Sequence, residues 1–368
     1  MISASAELKV RELDADDRRR LEAARQEFDA EVTYLDTATM GLPPRRTWEA
    51  LQSSMHDWRA GQADAVAYDR PLAAARSSYA ALVGVPENWV SVGSQVSVFA
   101  GLIAASLPDG CEVLTASGDF TSILFPFHAQ AGRGVTVREV PLDHIPDAVS
   151  ERTALVSVSA VQSADGRLVD LDALETACAA TGSRVLLDLT QAAGWLPVQA
   201  SRFSYTVAGG YKWMLAPRGT AYMTVQPDLV GDLVPHNASW YAGADRWTSI
   251  YGSPLRLAED ARRFDVSPAW LAWVGAAPSL ELLSGVGASA LHTHALGLAN
   301  RFRTGVGLPE GDSAIVSVTA DAEVPELVRA AGIVASVRAG RLRLSFHVSS
   351  STDDVDRAVT VLAGHVHM

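Results

Sequence analysis

The chain has 368 residues, 48 % hydrophobic and 20 % charged, which suits an ordinary globular protein with room for two packed lobes. A net charge of −12 and a pI near 5.2 argue against nucleic acid or an anionic membrane surface as the main partner. Two cysteines, Cys111 and Cys178, exclude a disulfide framework, and no basic segment followed by an apolar stretch opens the chain. Reduced thiols, a cytoplasmic location and no secretory signal are therefore expected.

Residues 6–30 are charged, with Leu8, Leu13, Leu21, Ala24 and Phe28 at helical spacing, and Lys9 in this stretch is expected to be solvated. Tyr34-Leu35-Asp36 leads into an extended loop over 37–44, and 47–58 reads as the next helix. Short apolar β-type runs follow at 89–92, 112–116, 135–140, 154–159, 184–189, 203–207 and 220–225. Helical segments at 96–107, 121–131, 171–180 and 191–194 lie between them. This alternation, with uncut apolar strands, predicts a mainly parallel α/β sheet covered on both faces. The uncharged stretch 88–108 is broken by Ser91, Gly93, Ser94, Gln95 and Ser97, so it reads as strand, turn and buried helix rather than a membrane span. A loop-rich segment bearing Trp, Tyr and Gly occupies about 236–267. Helices at 268–284 and 287–305 come next. A smaller α+β portion closes the chain, with strands near 314–318, 333–337 and 341–347 and a helix at 352–364.

Only two lysines occur, Lys9 and Lys212, against 28 arginines. Arginine serves wherever a positive charge suffices, but it does not form an imine, whereas lysine does. Lys212 stands in Ala208-Gly209-Gly210-Tyr211-Lys212-Trp213, after a β-type run and a Gly-Gly pair expected to let the backbone turn sharply. Ligand groups gather at the carboxyl ends of strands in open α/β sheets. Asp188 ends such a run, Arg184 to Asp188, where a buried carboxylate requires a cation or a protonated ring nitrogen beside it. The pyridinium nitrogen of pyridoxal phosphate (PLP) would meet that need; a helix-capping role for Asp188 is the competing reading.

Val92-Gly93-Ser94-Gln95-Val96-Ser97 runs from a strand through a small-residue turn into a helix, where free N–H groups and the helix dipole seat a phosphate. Gly118-Asp119-Phe120-Thr121-Ser122 follows another strand, and an aromatic there either stacks on a planar ligand or simply packs. The loop from Ser159 to Gly166 offers polar side chains, Gln162 and Ser163 among them, to the same rim.

This order of glycine-serine turn, aromatic, polar loop, Asp-x-x-Gln and Lys resembles the class V aminotransferase group of fold-type-I PLP enzymes. That group includes cysteine desulfurases, kynureninases, isopenicillin N epimerase-like proteins and C–S lyases. The resemblance is carried by Leu187 to Val198, Gly210 to Gly219, Tyr34-Leu35-Asp36-Thr37-Ala38 and Arg343-Leu344-Ser345, and it runs from about 34 to 365. It implies a large PLP-binding domain over 35–285 and a smaller domain from 1–34 with 286–368. It also implies a homodimer with active sites at its interface.

Carried over by position, Lys212 becomes the Schiff-base residue and the acid–base for the substrate α-proton. Asp188 pairs with the ring nitrogen, and Gln191 lies near the phenolic oxygen with Gln162 or Ser163 on the same edge. Phe120 stands where desulfurases carry a stacking His, so it stacks but shuttles no proton. Gly93, Ser94 and Gln95 hold the phosphate, helped by Tyr211. Arg343 binds the substrate α-carboxylate as a bidentate pair. Alternation puts Arg341 on the same face, and only the Arg-x-Ser match favours Arg343. Thr39 and Trp240 are taken as further substrate contacts.

Two departures from the family pattern matter. Desulfurases use a nucleophilic cysteine in the C-terminal lobe, and residues 306–340 contain none. Arg263-Phe264-Asp265-Val266-Ser267-Pro268 replaces the usual Arg-Phe-Glu-x-Gly-Thr, whose loop reaches the neighbouring subunit's phosphate; Ser267 is the candidate for that contact here. The leading expectation is thus β-elimination from a cysteine conjugate, a C–S β-lyase reaction. Transamination, epimerisation and kynureninase-like hydrolysis would use the same residues, and a non-catalytic PLP-fold binding protein is a further alternative. His292-x-His294 and His365-x-His367 are pairs with no third ligand evident in the sequence, so no metal site is expected.

Overall fold

The computed structural model describes residues 12–367, so Lys9 and Leu8 lie outside the described residues. Seven strands build the main sheet: β1 (Val90–Gly93), β2 (Glu112–Ala116), β3 (Thr136–Val140), β4 (Thr153–Ser159), β5 (Arg184–Asp188), β6 (Tyr205–Gly209) and β7 (Ala221–Val225). Their spatial order is β1-β7-β6-β5-β4-β2-β3, and β7 alone runs antiparallel to its neighbours β1 and β6. The strands β5, β6 and β7 are buried on both faces, which suits sequences free of charge apart from the two ends of β5. Two apolar clusters cover them. One holds Leu114, Val156, Val158, Leu187 and Tyr222 with the helix Trp270–Val286, and the other holds Val113, Leu155, Leu186 and Val207 with the helix Val96–Ser106.

The second sheet is antiparallel. Its strands are β8 (Ile315–Ala320), β9 (Ser336–Arg338), β10 (Arg341–Ser345) and β11 (Val366–His367), in the order β9-β10-β8-β11. Val316, Val318, Leu342, Leu344 and the helix Thr352–Leu362 form its core with Phe302. The N-terminal segment is stitched onto this part: Thr33 and Tyr34 pair in parallel with Ile333 and Val334, and Asp36 bridges to Ser345. Among the described residues no single helix is long and apolar enough to cross a membrane, and the uncharged stretch at 88–108 is a strand, a turn and the 11-residue helix Val96–Ser106.

The strand expected near 333–337 is split into Ile333–Val334, paired with Thr33 and Tyr34, and β9, and three further expected elements differ. The helix expected over 121–131 is broken into a 3₁₀ turn at Thr121–Ile123, a short helix Phe125–His128 and a second 3₁₀ turn at Ala131–Arg133. Pro126 has no N–H to continue a helix begun at 121. Residues 191–194 form hydrogen-bonded turns instead of a helix, since Gly194 adopts φ 115° where a Cβ would meet the Trp213 carbonyl oxygen at 2.3 Å. The strand expected at 203–207 lies two residues later. Phe203 turns into the core, and the ladder pairs Tyr205 with Leu186.

Candidate active site

The carboxyl ends of β1, β2, β5 and β6 converge on a cleft lined by Ser94, Gln95, Val96, Ser97, Phe120, Ser122, Asp188, Thr190, Gly209, Tyr211, Arg218 and Thr220. The floor comes from β5. Asp188 is 4 % exposed, and its carboxylate accepts the Thr190 backbone N–H at 2.8 Å. Asp188 thus closes a local turn, which satisfies the capping reading in part, while still lining the cleft. Burial raises its proton affinity above that of an ordinary carboxyl, and the field of Asp119 adds to this.

Gly93 ends β1, and a Cβ there would meet the Phe99 ring at 2.8 Å. The following helix Val96–Ser106 has Gln95 as its N-cap without a side-chain cap bond, so no side chain caps its first-turn N–H groups beside the cleft.

Lys212 follows β6 and is 5 % exposed. Its Nζ lies 5.2 Å from the Phe120 ring centroid and 5.6 Å from that of Tyr211. Burial lowers its proton affinity; Asp188 opposes that effect, and Arg343, Arg338 and Arg218 reinforce it. The glycines before it are needed for close approach rather than for a left-handed turn. A Cβ on Gly210 would sit 2.2 Å from Thr220 Oγ1. On the other side Gly41 donates to the Tyr211 carbonyl at 2.9 Å, and a Cβ on Gly41 would fall 2.1 Å from the Lys212 carbonyl oxygen. Tyr211 lies under the Arg218 guanidinium, 4.9 Å from its ring centroid.

Asp119, unassigned in the sequence, is the joint of the upper rim. Its buried carboxylate accepts Phe120 N at 2.7 Å, Ser159 N at 2.9 Å, Ser159 Oγ at 2.6 Å and Gln162 Nε2 at 3.1 Å. It therefore fixes the Phe120 loop to the Gln162 loop. The Gln191 amide is also fully engaged. It donates to Ala38 O (3.0 Å) and Ser163 Oγ (2.9 Å), and its oxygen accepts Trp213 Nε1 at 2.7 Å. Gln191 thus ties the lysine loop to the N-terminal loop and is not among the residues lining the cleft.

The two arginines of β10 part company. Arg343 is 1 % exposed; it donates to Thr39 Oγ1 at 2.7 Å and to Ser163 Oγ at 3.3 Å, with a further bond to the Ser163 carbonyl, and Asp36 lies 3.6 Å away. Arg341 instead lies over β8, bonded to Ser317 and Thr319. Ser345 Oγ accepts Ala38 N at 2.9 Å, so the Tyr-Leu-Asp-x-Ala and Arg-x-Ser segments form one joint. Thr39 completes it, donating to Asp36 at 2.8 Å and accepting from both Arg343 and Arg338.

Lys212, Gly93, Gln162, Ser163, Thr39 and Arg343 are likewise not among the residues lining the cleft, but each is tied to its walls by the contacts above; two expected site residues are not. Trp240 packs against Tyr241 and Trp247, whose polar atoms bond Asp69, and does not line the cleft. Ser267 is exposed and also outside the lining. Its loop is anchored two residues earlier, where the wholly buried Asp265 pairs with Arg76 at 2.6 Å and accepts Val92 N at 2.8 Å and Ser91 Oγ at 3.2 Å. Neither Asp119 nor the Arg76–Asp265 pair has a signature in the sequence beyond an acidic residue beside a quoted motif.

A buried amine, a buried carboxylate at a strand end, an uncapped helix N-terminus and an aromatic at the rim form a donor set that fits PLP. The chain belongs to the class-V aminotransferase family, whose profile matches residues 33–321. It is 25 % identical over 304 residues to isopenicillin N epimerase of Streptomyces clavuligerus, covering 75 % of each chain. It is also 27 % identical over 230 residues to the uncharacterized aminotransferase YcbU of Bacillus subtilis, and this match spans 60 % of either length. Among solved structures, the cystine C–S lyase C-DES, in complex with its product cysteine persulfide, superposes with a TM-score of 0.81 at 21 % identity, over 91 % of this chain and 98 % of that one. A C-DES variant with glycine covalently linked to its PLP gives a TM-score of 0.82 at 20 % identity, over 95 % and 99 %. The fold is that of the fold-type-I PLP enzymes, and the protein is a PLP-dependent enzyme.

Proposed function

We propose that this enzyme catalyses β-elimination from a cysteine conjugate, releasing a thiol with pyruvate and ammonia. The observation that carries this reading is the pairing of a complete proton-transfer site with no thiol to receive sulfur. Cys178 is buried in the helix Leu171–Thr181, and Cys111 precedes β2 at the end of the strand remote from the cleft. Persulfide transfer therefore has no acceptor in the described chain, and a group leaving Cβ departs as a free thiol.

When bound, PLP supplies the electron sink for loss of the α-proton. Asp188 holds the charge of the ring nitrogen from the cleft floor. Lys212, whose proton affinity is lowered by burial, takes the α-proton and passes it to the sulfur that leaves Cβ, which departs as the neutral thiol. Ser94, Gln95 and the first turn of Val96–Ser106 hold the phosphate. Tyr211 covers the same end. Phe120 stacks against the ring without exchanging protons. Arg343, oriented by Thr39 and Ser163, pairs with the α-carboxylate. Gln162, held by Asp119, faces the phenolic edge, and Gln191 acts through Ser163 and Trp213.

The enzyme works as a homodimer in this reading. Tyr251 and Leu255 in the 236–267 segment are 89 % and 74 % exposed, and Phe120 at the cleft mouth is 43 % exposed, which suits burial against a second copy. Ser267, on the adjoining loop, is then the residue that reaches the other phosphate. The large domain over 35–285 and the small domain from 1–34 with 286–368 would meet at the cleft.

A panel of S-substituted cysteines, alanine with a keto acid, and kynurenine tests the reaction. Pyruvate from the cysteine conjugates supports elimination. Pyridoxamine phosphate without pyruvate assigns an aminotransferase, anthranilate a hydrolase, and inversion at Cα an epimerase. No spectral response to any amino acid would leave a binding protein. Sedimentation of a fully active monomer would refute the dimer.

A further inference from the structure

The end of the chain carries a second cluster of reactive side chains, far from the PLP cleft in sequence and on the other sheet. β11 pairs antiparallel with β8, matching Val366 to Ala320, and the Asp321 amide donates to the His365 carbonyl at 3.0 Å. The turn after β8 is therefore fixed against His365. His365 Nδ1 lies 3.4 Å from Asp321 Oδ2 and 3.5 Å from Glu323 Oε1, with the ligand atoms of all three residues within 4.8 Å of one another. That nitrogen is shielded from solvent and makes no hydrogen bond. The other Asp321 oxygen accepts His367 Nε2 at 3.3 Å.

Three features of this arrangement point to a cation. The separations exceed the 2.7–2.9 Å or so of a charge-assisted N–H···O bond. The two distances from Nδ1 match instead the roughly 3.4 Å edge of a tetrahedron whose centre lies about 2.1 Å from each nitrogen or oxygen ligand. Two carboxylates converge here, yet among the described residues no arginine or lysine pairs with either. His365 Nδ1, which faces both carboxylates, is shielded from solvent yet hydrogen-bonded to neither.

We propose that His365, Asp321 and Glu323 form a site for a divalent transition cation of the zinc class, with His367 as a positioning residue that orients Asp321. The sequence shows only the His-x-His pair, because its carboxylate partners lie more than forty positions upstream and are brought in by the β8–β11 pairing. A cation there clamps the last strand onto the small sheet, so it stabilises that lobe without touching the cleft.

The test uses full-length holoenzyme, stripped with a chelator and titrated with ZnCl2, with MgCl2 as control. One zinc per chain is expected, with a rise in Tm that magnesium does not give. His365→Ala and Asp321→Asn should abolish that binding event and the Tm rise, while His367→Ala should weaken zinc by about tenfold. The visible absorption of the bound PLP in the other lobe reports that each variant is folded, and Glu323→Gln provides a milder third lesion. Zinc uptake unchanged in His365→Ala and Asp321→Asn, or no uptake beyond that of magnesium, overturns the proposal and leaves a simple ion-pair cluster.

Discussion

Removing the Asp265 carboxylate should loosen the Ser94–Gln95 end of the cleft from a distance. Asp265 is wholly buried and Arg76 is 4 % exposed, so solvent screens neither charge. The carboxylate accepts from Arg76, from Ser91 Oγ and from Val92 N, and Arg76 also bonds the Val90 carbonyl. Asp265→Ala leaves a buried guanidinium without its counter-charge and orphans the Val92 amide. Breaking such a pair from one side costs about 3–5 kcal/mol. Because Val92 and Gly93 lead directly into Ser94 and Gln95, PLP affinity should fall together with stability. Urea unfolding of the apoenzyme measures the first effect and equilibrium PLP titration the second. The double variant Arg76→Met/Asp265→Leu removes both charges and should recover most of the loss, since an apolar pair of similar volume avoids desolvation altogether. A single-variant cost below about 1 kcal/mol, or a double variant no more stable than either single one, would refute this reasoning.

Four further outcomes are expected. Gly41→Ala forces a methyl against the Lys212 carbonyl and should cost about 1–3 kcal/mol, read as a lower Tm with weakened PLP binding. Arg343→Ala should lower kcat/KM by about 3 kcal/mol through loss of charged hydrogen bonds, whereas Arg341→Ala should stay within about 0.5 kcal/mol in the same assay. Burial holds the His347 imidazole at a pKa of about 3, with Nε2 against the Trp213 carbonyl at 2.8 Å. The unfolded chain takes up a proton below its ordinary pKa of about 6.5, so stability is full above that pH and falls as pH drops from there towards 3, at up to about 1.4 kcal/mol per pH unit. Tm measured across pH 4–7 should show that fall, and His347→Gln should flatten it; His292 and His294, also lowered by burial, leave some slope.

Most of the seven main strands were legible as short apolar runs ended by glycine or polar residues, the pattern that buried strands of an α/β sheet demand, although the edge strand β3 carries Arg138 and Glu139 and β6 begins two residues later than expected. Lys212 was legible for a different reason: it is rare in a chain that otherwise uses arginine. Long-range polar joints left no local trace. Thr190, Arg218 and Thr220 reach the cleft, and Asp119 ties the Phe120 loop to Ser159 and Gln162, only after the strands are aligned; Asp265 meets Arg76 across 189 positions. The family resemblance puts Gln191 near the phenolic oxygen, yet its amide is consumed by Ala38, Ser163 and Trp213. Periodicity could not separate Arg341 from Arg343. Tertiary structure does so, by supplying Ser317 and Thr319 to one and Thr39, Ser163 and Asp36 to the other.

The most direct test of the account is borohydride reduction of the yellow holoenzyme followed by peptide mapping. The pyridoxyl mass should appear on the peptide containing Lys212, and Lys212→Ala should bind PLP without being labelled. Label confined to Lys9, or a colourless protein that takes up no added PLP, would contradict it.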